Sequence, residues 1–176
     1  MHDKMIKIIV AGAAGRMGCR LVSLIRDSTA LTLAGALEGT GHPALGEDAG
    51  ETAASGRAGI PITDDLSILM ERGEVVIDFS APSATLEHMR TVAHHRRAMV
   101  IGTTGLSAVQ LDELKSLAQQ IPCVFSPNMS VGINLICKVI GEMARTLGDE
   151  YDIEVIEAHQ ILVASGRAAT ICCRNK

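Results

Sequence analysis

The stretch IIVAGAAGRMGCRLVSLI, residues 8–25, runs from an apolar segment through three evenly spaced glycines into a segment with helical period. Gly12 permits a tight turn after a strand, Gly15 lets the backbone approach a phosphate, and Gly18 lets the following helix pack closely against the strand. A pyrophosphate would then lie at the positive N-terminal end of that helix. Because this glycine spacing alone is a weak signal, an ordinary strand-to-helix turn is the alternative interpretation.

The rest of the chain repeats the alternation of short apolar runs with longer stretches of helical period. Strands are predicted at 7–12, 31–37, 75–79, 98–102, 122–125 and 152–158. Helices are predicted at 16–27, 65–71, 83–95, 107–119 and 131–147, and a long loop at 38–59. Apolar strands that alternate with helices are typical of a parallel sheet covered on both faces. The pattern therefore predicts an α/β fold with a Rossmann-like, doubly wound parallel sheet.

Composition and charge narrow the class of protein. With 176 residues, 47% of them hydrophobic, the chain is long enough for one core and short for two full domains. A formal net charge of -4 offers no basic surface to nucleic acid or to an anionic membrane. The His, Cys and carboxylate residues lack zinc-site spacing, so no metal is predicted. A small-molecule partner is favoured.

The cysteines and the N-terminal run bear on the compartment. Five cysteines, an odd number without Cys-x-x-Cys spacing, are typical of reduced thiols. The first apolar run is broken by glycines and followed by Arg16, so it is predicted to be neither a signal peptide nor a membrane span. The sequence thus predicts a cytoplasmic protein.

An acidic residue follows the second predicted strand. Glu38 lies about 20 residues beyond Gly18, where a carboxylate can accept hydrogen bonds from the ribose hydroxyls of a dinucleotide. Gly39 follows it in place of a cation that would pair with a 2'-phosphate. NADH is therefore favoured over NADPH, which stays an alternative because Arg16 can reach a phosphate.

Two further loops follow strands that would end at the same edge of the sheet. IGTTG, residues 101–105, has glycines that would admit a planar ring and hydroxyl and backbone groups for a carboxamide. SPNMSVG, residues 126–132, follows the next strand. Asp78, at the end of another strand, is interpreted as a strand-end cap in preference to a ligand group. Convergence of these loops favours a nucleotide site over plain connecting loops.

Several segments carry a family resemblance in both order and spacing. They are VAGAAGRMG at 10–18, LEG at 37–39, LGEDAGE at 45–51, VIDFS at 76–80, VIGTTG at 100–105, PNMSVGIN at 127–134 and DIEVIEAH at 152–159. Together they resemble the 4-hydroxy-tetrahydrodipicolinate reductase (dihydrodipicolinate reductase) family over residues 5–159. The resemblance implies an NAD(P)H-dependent oxidoreductase of diaminopimelate and lysine biosynthesis, which transfers hydride to a cyclic hydroxy-dicarboxylate as water is lost.

The resemblance also assigns roles to residues. The pyrophosphate is assigned to Gly12, Ala13, Ala14, Gly15, Arg16 and Met17, and the adenosine ribose to Glu38. The nicotinamide end is assigned to Gly102, Thr103 and Thr104, and the back of that pocket to Ser126, Pro127, Asn128 and Met129. His159 matches the first histidine of the family's E-A-H-H-x-x-K stretch and would act as catalytic acid or base. The resemblance further implies a dinucleotide-binding domain at 1–130 and the start of an α+β substrate and oligomerisation domain at 131–176.

After His159 the sequence departs from the family. Gln160 replaces the second histidine, Val163 stands where the lysine belongs, and SGRAAT at 165–170 replaces the family's D-x-P-S-G-T loop. The chain is therefore expected to be a truncated or frameshifted form that lacks most of the domain through which the family forms homo-oligomers, and to be inactive alone. Two alternatives stay open: a non-catalytic dinucleotide-binding fragment or relic, and a dehydrogenase of the homoserine or semialdehyde type.

Overall fold

The computed structural model describes residues 4–148, 151, 155–158 and 170–173. The chain divides into two compact units, Met1–Met129 and Ser130–Lys176. The described helices of both units include none that is long and apolar enough to cross a membrane.

The first unit alternates strands and helices along the chain. Its strands are β1 (Ile6–Ala11), β2 (Leu31–Leu37), β3 (Ile62–Thr63), β4 (Val75–Asp78), β5 (Ala98–Ile101) and β6 (Cys123–Phe125). Its helices are α1 (Arg16–Arg26), α2 (Ala49–Thr52), α3 (Leu66–Leu69), α4 (Pro82–His94) and α5 (Ala108–Ala118). The predicted bounds of the five strands and four helices expected here agree to within about two residues. The two-residue strand β3 and the one-turn helix α2 were not predicted.

The six strands form one parallel sheet in the order β3-β2-β1-β4-β5-β6. The direction of winding reverses between β1 and β4, which is the topology of the Rossmann fold. The predicted α/β class and doubly wound parallel sheet are therefore confirmed.

Alternating side chains of β1 show why both faces of the sheet are covered. Ile8 and Val10 pack with Val22 and Ile25 of α1, whereas Ile9 belongs to a second cluster on the opposite face. That second cluster contains α3, α4 and α5 residues such as Leu69, Met89, Val92 and Leu114. Because neighbouring residues of a strand point to opposite faces, a continuous apolar run such as 8–11 buries both sides.

Local sequence signals set several helix ends. Ser107 accepts a hydrogen bond from Gln110 N, and the Gln110 side chain accepts one from Ser107 N, so α5 begins with a capping box. Asp65 caps α3 through Ser67 N, and Pro82 occupies the first turn of α4, where its missing N–H has no cost.

The segment predicted as a plain loop at 38–59 is more organised than its composition indicates. The segment contains α2, and Asp48 lies near the middle of the segment. The Asp48 carboxylate accepts hydrogen bonds from the main-chain N–H groups of Gly50, Glu51, Ala58, Gly59 and Ile60, at 2.6 to 3.1 Å. These bonds lower the pKa of Asp48 from an ordinary 3.8 to about 2, with the Ala58 N–H as the largest cause. One side chain therefore organises a loop that lacks periodic apolar residues.

The second unit contains α6 (Val131–Leu147), β7 (Val155–Ala158) and β8 (Thr170–Cys173). The strand predicted at 152–158 is described only over β7, and it pairs antiparallel with β8 in a separate two-stranded sheet. The prediction that this strand belongs to the parallel sheet was therefore wrong. The helix α6 has the predicted bounds; its apolar period would be expected to bury one face, but it buries none of its residues among the described part of the chain.

Candidate nucleotide-binding site

Register across the sheet aligns the ends of five strands in one row. Leu37 pairs with Ala11, Ala11 with Asp78, Asp78 with Ile101, and Ile101 with Phe125. The residues that follow these strand ends are Glu38, Gly12, Phe79, Gly102 and Ser126. All four predicted cofactor-binding segments thus begin side by side at the carboxyl edge of the sheet, the edge at which open parallel sheets bind ligands.

The glycine turn after β1 has the geometry that its glycines allow. Gly12 has a φ of +75°, and its N–H donates to Leu37 O at 3.0 Å. A side chain at Gly18 would overlap the Gly12 carbonyl and come within 2.7 Å of Ala13 Cα. A side chain is therefore excluded at Gly18, where α1 lies close to the turn, and the helix begins directly after the turn.

The N-terminus of α1 is suited to an anion. Gly15 is the N-cap residue and has no side chain with which to accept from the first N–H groups of the helix. Gly15, Arg16 and Met17 are exposed, whereas Ala13 is buried and offers only its backbone. Free N–H groups, the positive end of the helix dipole and the Arg16 guanidinium together fit a pyrophosphate.

Glu38 lies beside this turn. One carboxylate oxygen accepts a hydrogen bond from Ala14 N at 2.8 Å, and the other lies 3.3 Å from Gly39 N. The half-buried carboxylate is therefore held at the mouth of the glycine turn, where the ribose hydroxyls of a dinucleotide bound on α1 can donate to it. This arrangement fits an adenine dinucleotide.

The turn at 102–104 was expected to offer hydroxyl and backbone groups to a ligand, and only one of its two threonine hydroxyls is accessible. Thr103 is 3% exposed, and its hydroxyl is 2.7 Å from the Thr85 hydroxyl. Thr104 is exposed. Thr103 can therefore offer a ligand only its backbone groups, because its side chain is directed into the protein, and Thr104 carries the accessible hydroxyl.

The segment 126–129 follows β6 on the same edge. Ser126 N donates to Ile101 O at 3.1 Å, and the Ser126 hydroxyl donates to Asn128 O at 2.7 Å, which closes a tight turn. Pro127 and Met129 are exposed beside it. His159, the predicted acid or base, lies outside the described residues, as do Gln160 and Val163.

Sequence reasoning missed two residues that lie between the predicted segments. Phe79 has its ring against Gly102, where a side chain would overlap it, and its carbonyl oxygen lies 3.3 Å from the position of a Cβ on Gly12. Asp78, interpreted as a strand-end cap, does accept a hydrogen bond from Ser80 N just after β4, but it is also fully buried with hydroxyl and imidazole partners that the sequence did not indicate. Its position directly before Phe79 and Ser80 at a strand end was the available signal.

Comparisons with known proteins agree with this geometry. Residues 6–129 match the family described as "Dihydrodipicolinate reductase, N-terminus". The chain is 43% identical over 166 residues to the 4-hydroxy-tetrahydrodipicolinate reductase of Syntrophus aciditrophicus, which covers 94% of this chain and 62% of that protein. It is 45% identical over 155 residues to the reductase of the same name from Desulfotalea psychrophila, covering 88% and 58%. The chain thus spans about three fifths of the length of these curated relatives.

Among solved structures, the fold is similar to that of a dipicolinate-bound dihydrodipicolinate reductase from Paenisporosarcina sp. TG-14. The TM-score is 0.64 at 24% identity, over 80% of this chain and 54% of that one. The matched N-terminal region is the nucleotide-binding part of such reductases, which supports use of NAD(P)H. On the family match over residues 6–129 and the identity to these relatives, the chain belongs to the dihydrodipicolinate reductase family.

Proposed function

We propose that this chain provides the nucleotide-binding part of an NAD(P)H-dependent 4-hydroxy-tetrahydrodipicolinate reductase of diaminopimelate and lysine biosynthesis, acting in the cytoplasm. One observation within the structure carries the proposal. The row from Leu37 to Phe125 sets the predicted cofactor-binding segments next to one another at one edge of the sheet. Family membership supports a small cyclic dicarboxylate as the substrate class.

Each segment has a distinct task in this proposal. Gly12–Met17 hold the pyrophosphate, Glu38 the adenosine ribose, Gly102–Thr104 the nicotinamide end, and Ser126–Met129 the back of the pocket. The reduced nicotinamide, when bound, supplies the hydride. The protein's part in this unit is to bind the cofactor and to fix the ring by backbone groups, since Thr103 directs its hydroxyl inward.

The cofactor preference follows from the charges at the ribose. The Glu38 carboxylate is held beside the glycine turn, and a 2'-phosphate there would face a negative charge. Gly39 contributes no compensating cation, so we infer a preference for NADH. The exposed Arg16 is the residue that would allow NADPH to bind.

The substrate side of the reaction belongs to residues 131–176 in this proposal. His159 would act as acid or base next to the dicarboxylate. Gln160 and Val163 replace the polar pair of the family, which removes a substrate contact and a proton donor. We therefore propose that the chain of 176 residues binds the cofactor and has little turnover by itself.

Calorimetric titration of the whole chain with NADH tests the proposal. In Gly15→Asp a carboxylate would lie at the N-terminus of α1 and repel the pyrophosphate, so NADH affinity should fall on the order of 10- to 100-fold. Gly15→Ser adds an uncharged side chain where the backbone meets the phosphate, and its hydroxyl can accept from the same N–H groups, so it should also lower affinity but by less than Gly15→Asp. Both residues are favourable N-caps, so neither should lower the stability of the helix. A wild-type chain that binds neither NADH nor NADPH, or unchanged affinity in both variants, would contradict the proposal.

A further inference from the structure

A buried carboxylate lies directly behind the turn formed by Gly102, Thr103 and Thr104. Oδ1 of Asp78 accepts hydrogen bonds from Ser80 N at 2.8 Å and from the Ser80 hydroxyl at 2.6 Å. Oδ2 lies 2.7 Å from Nδ1 of His88. Burial alone would raise the pKa of Asp78, but the hydrogen bonds from His88 and Ser80 outweigh it, and the pKa lies below its ordinary value. The carboxylate is therefore ionised.

An ionised carboxylate can only accept, and this settles the direction of the neighbouring hydrogen bonds. His88 must donate through Nδ1–H. The Thr85 hydroxyl lies 3.2 Å from Asp78 Oδ1 and 2.7 Å from the Thr103 hydroxyl, whereas Thr103 lies 3.4 Å from the same oxygen. The arrangement that uses the shorter distances is a chain in which Thr103 donates to Thr85, and Thr85 donates to Asp78.

The main chain provides a second connection between the same elements. Gly102 N donates to Asp78 O at 2.9 Å. The Phe79 ring lies against Gly102, where a side chain would overlap it. Asp78 therefore holds the turn at two consecutive residues. Its main-chain carbonyl accepts from Gly102 N, and its carboxylate is connected to the Thr103 hydroxyl through Thr85.

Resting on the proposed function, we propose that Asp78, Thr85 and His88 are positioning residues, which fix the Gly102–Thr104 turn so that its outward backbone groups receive the nicotinamide end of the cofactor. Thr85 and Thr103 are fully buried or nearly so, and the His88 side chain is 18% exposed. None of the three positioning residues needs to contact the ligand. Because an ionised buried group is costly unless its donors stay in place, the network disfavours other conformations of the turn.

The test compares two ligands that share the adenosine diphosphate and ribose but differ in the nicotinamide. Calorimetry on the 176-residue chain gives the affinity for NADH and for ADP-ribose in the wild type, Thr103→Val and Thr103→Ser. Valine matches the shape of threonine without the hydroxyl, and serine retains the hydroxyl. Thr91→Val is the matched control, because the Thr91 hydroxyl, in the same helix as Thr85, bonds only its own helix carbonyl at Glu87 among the contacts described.

We expect Thr103→Val to lower NADH affinity about tenfold and to leave ADP-ribose affinity within about twofold of the wild type. Thr103→Ser should restore NADH binding. Bound NADH should also lose part of its fluorescence change in the valine variant, since that signal reports the nicotinamide. Thr85→Val should behave as Thr103→Val does, and it replaces that variant if the latter does not fold.

Two results would overturn the inference. One is an equal loss for both ligands, which would mean a purely structural role. The other is an unchanged ratio of the two affinities. A wild-type chain that binds neither ligand would instead overturn the proposed function, so the two failures are distinguishable.

Discussion

The Glu38 carboxylate accepts a 2.8 Å hydrogen bond from the main-chain N–H of Ala14, so the acid that follows β2 is joined to the glycine turn that follows β1. The contact spans two neighbouring strands whose ends, Leu37 and Ala11, are paired in the sheet. It holds a negative charge at the place where a dinucleotide bound on α1 would put its adenosine ribose. In the proposed function, the charge at this position governs which dinucleotide is favoured.

Gly39→Arg should shift the cofactor preference towards NADPH. A Cβ at Gly39 would meet nothing within 4 Å, so there is room for a side chain to begin there, and an arginine can pair with a 2'-phosphate. The ratio of NADPH to NADH affinity should rise about tenfold or more. Fluorescence titration with both cofactors measures it. Gly39→Gln, of similar reach without charge, should leave the ratio near that of the wild type, and a ratio unchanged in Gly39→Arg would mean that another cation governs the preference.

Gly18→Ala should destabilise the protein although alanine is ordinarily the better helix former by about 1 kcal/mol. The added Cβ would overlap the Gly12 carbonyl and crowd Ala13 Cα, both of which are backbone and cannot move aside cheaply. A loss of about 1–3 kcal/mol in the free energy of unfolding is expected. Urea denaturation measures it, with Gly39→Ala as the control that should be unchanged or slightly stabilised. Equal stability of the two variants would show that α1 does not approach the turn as described.

Asp48 should make the stability of the protein depend on pH in the acid range. Its pKa is lowered to about 2 in the folded protein from an ordinary 3.8, so the folded state binds a proton less readily than the unfolded state does. The stabilising contribution is therefore complete above about pH 4 and is lost as the pH falls towards 2. In Asp48→Asn this part of the acid dependence should disappear, and the stability at pH 7 should be lower than that of the wild type.

Thermal melts of both proteins from pH 7 down to pH 2 measure the Asp48 effect. Asp64→Asn, which removes an exposed carboxylate close by in the sequence, is the control and should keep the wild-type profile. A difference between Asp48→Asn and wild type that stays constant across the range would mean that the side chain acts by shape alone.

Turnover by the 176-residue chain should be far below that of a typical enzyme, which is on the order of 10 per second. Positioning and general acid catalysis each contribute several orders of magnitude in rate, and Gln160 and Val163 replace the residues of the family that would supply them. Loss of NADH absorbance with freshly generated hydroxy-tetrahydrodipicolinate measures turnover, and a binding titration on the same preparation shows whether the cofactor site is intact. Full turnover would mean that other residues complete the site.

Short-range signals were sufficient for most of the first unit. The glycines of 12–18 determine a strand–turn–helix unit because of conformational and steric demands within one segment, and the Ser107 capping box acts over three residues. Strictly apolar runs such as 8–11 imply burial on both faces and hence a parallel sheet between helices. From these, the row of strand ends and the loops that follow them could be predicted.

Other features depended on contacts between residues far apart in the chain, which only the tertiary structure decides. Ile62–Thr63 is a strand because it pairs with the end of β2. Val155–Ala158 pairs antiparallel with Thr170–Cys173, although its valine and isoleucine also suit a parallel strand. Thr103 and Thr104 are adjacent residues of the same type, yet Thr103 is buried and Thr104 is exposed. The difference arises because Thr85, 18 residues earlier, and the buried charge of Asp78 offer partners to only one of the two hydroxyls among the described residues. Side-chain direction at such a turn is set by partners that no local pattern reveals.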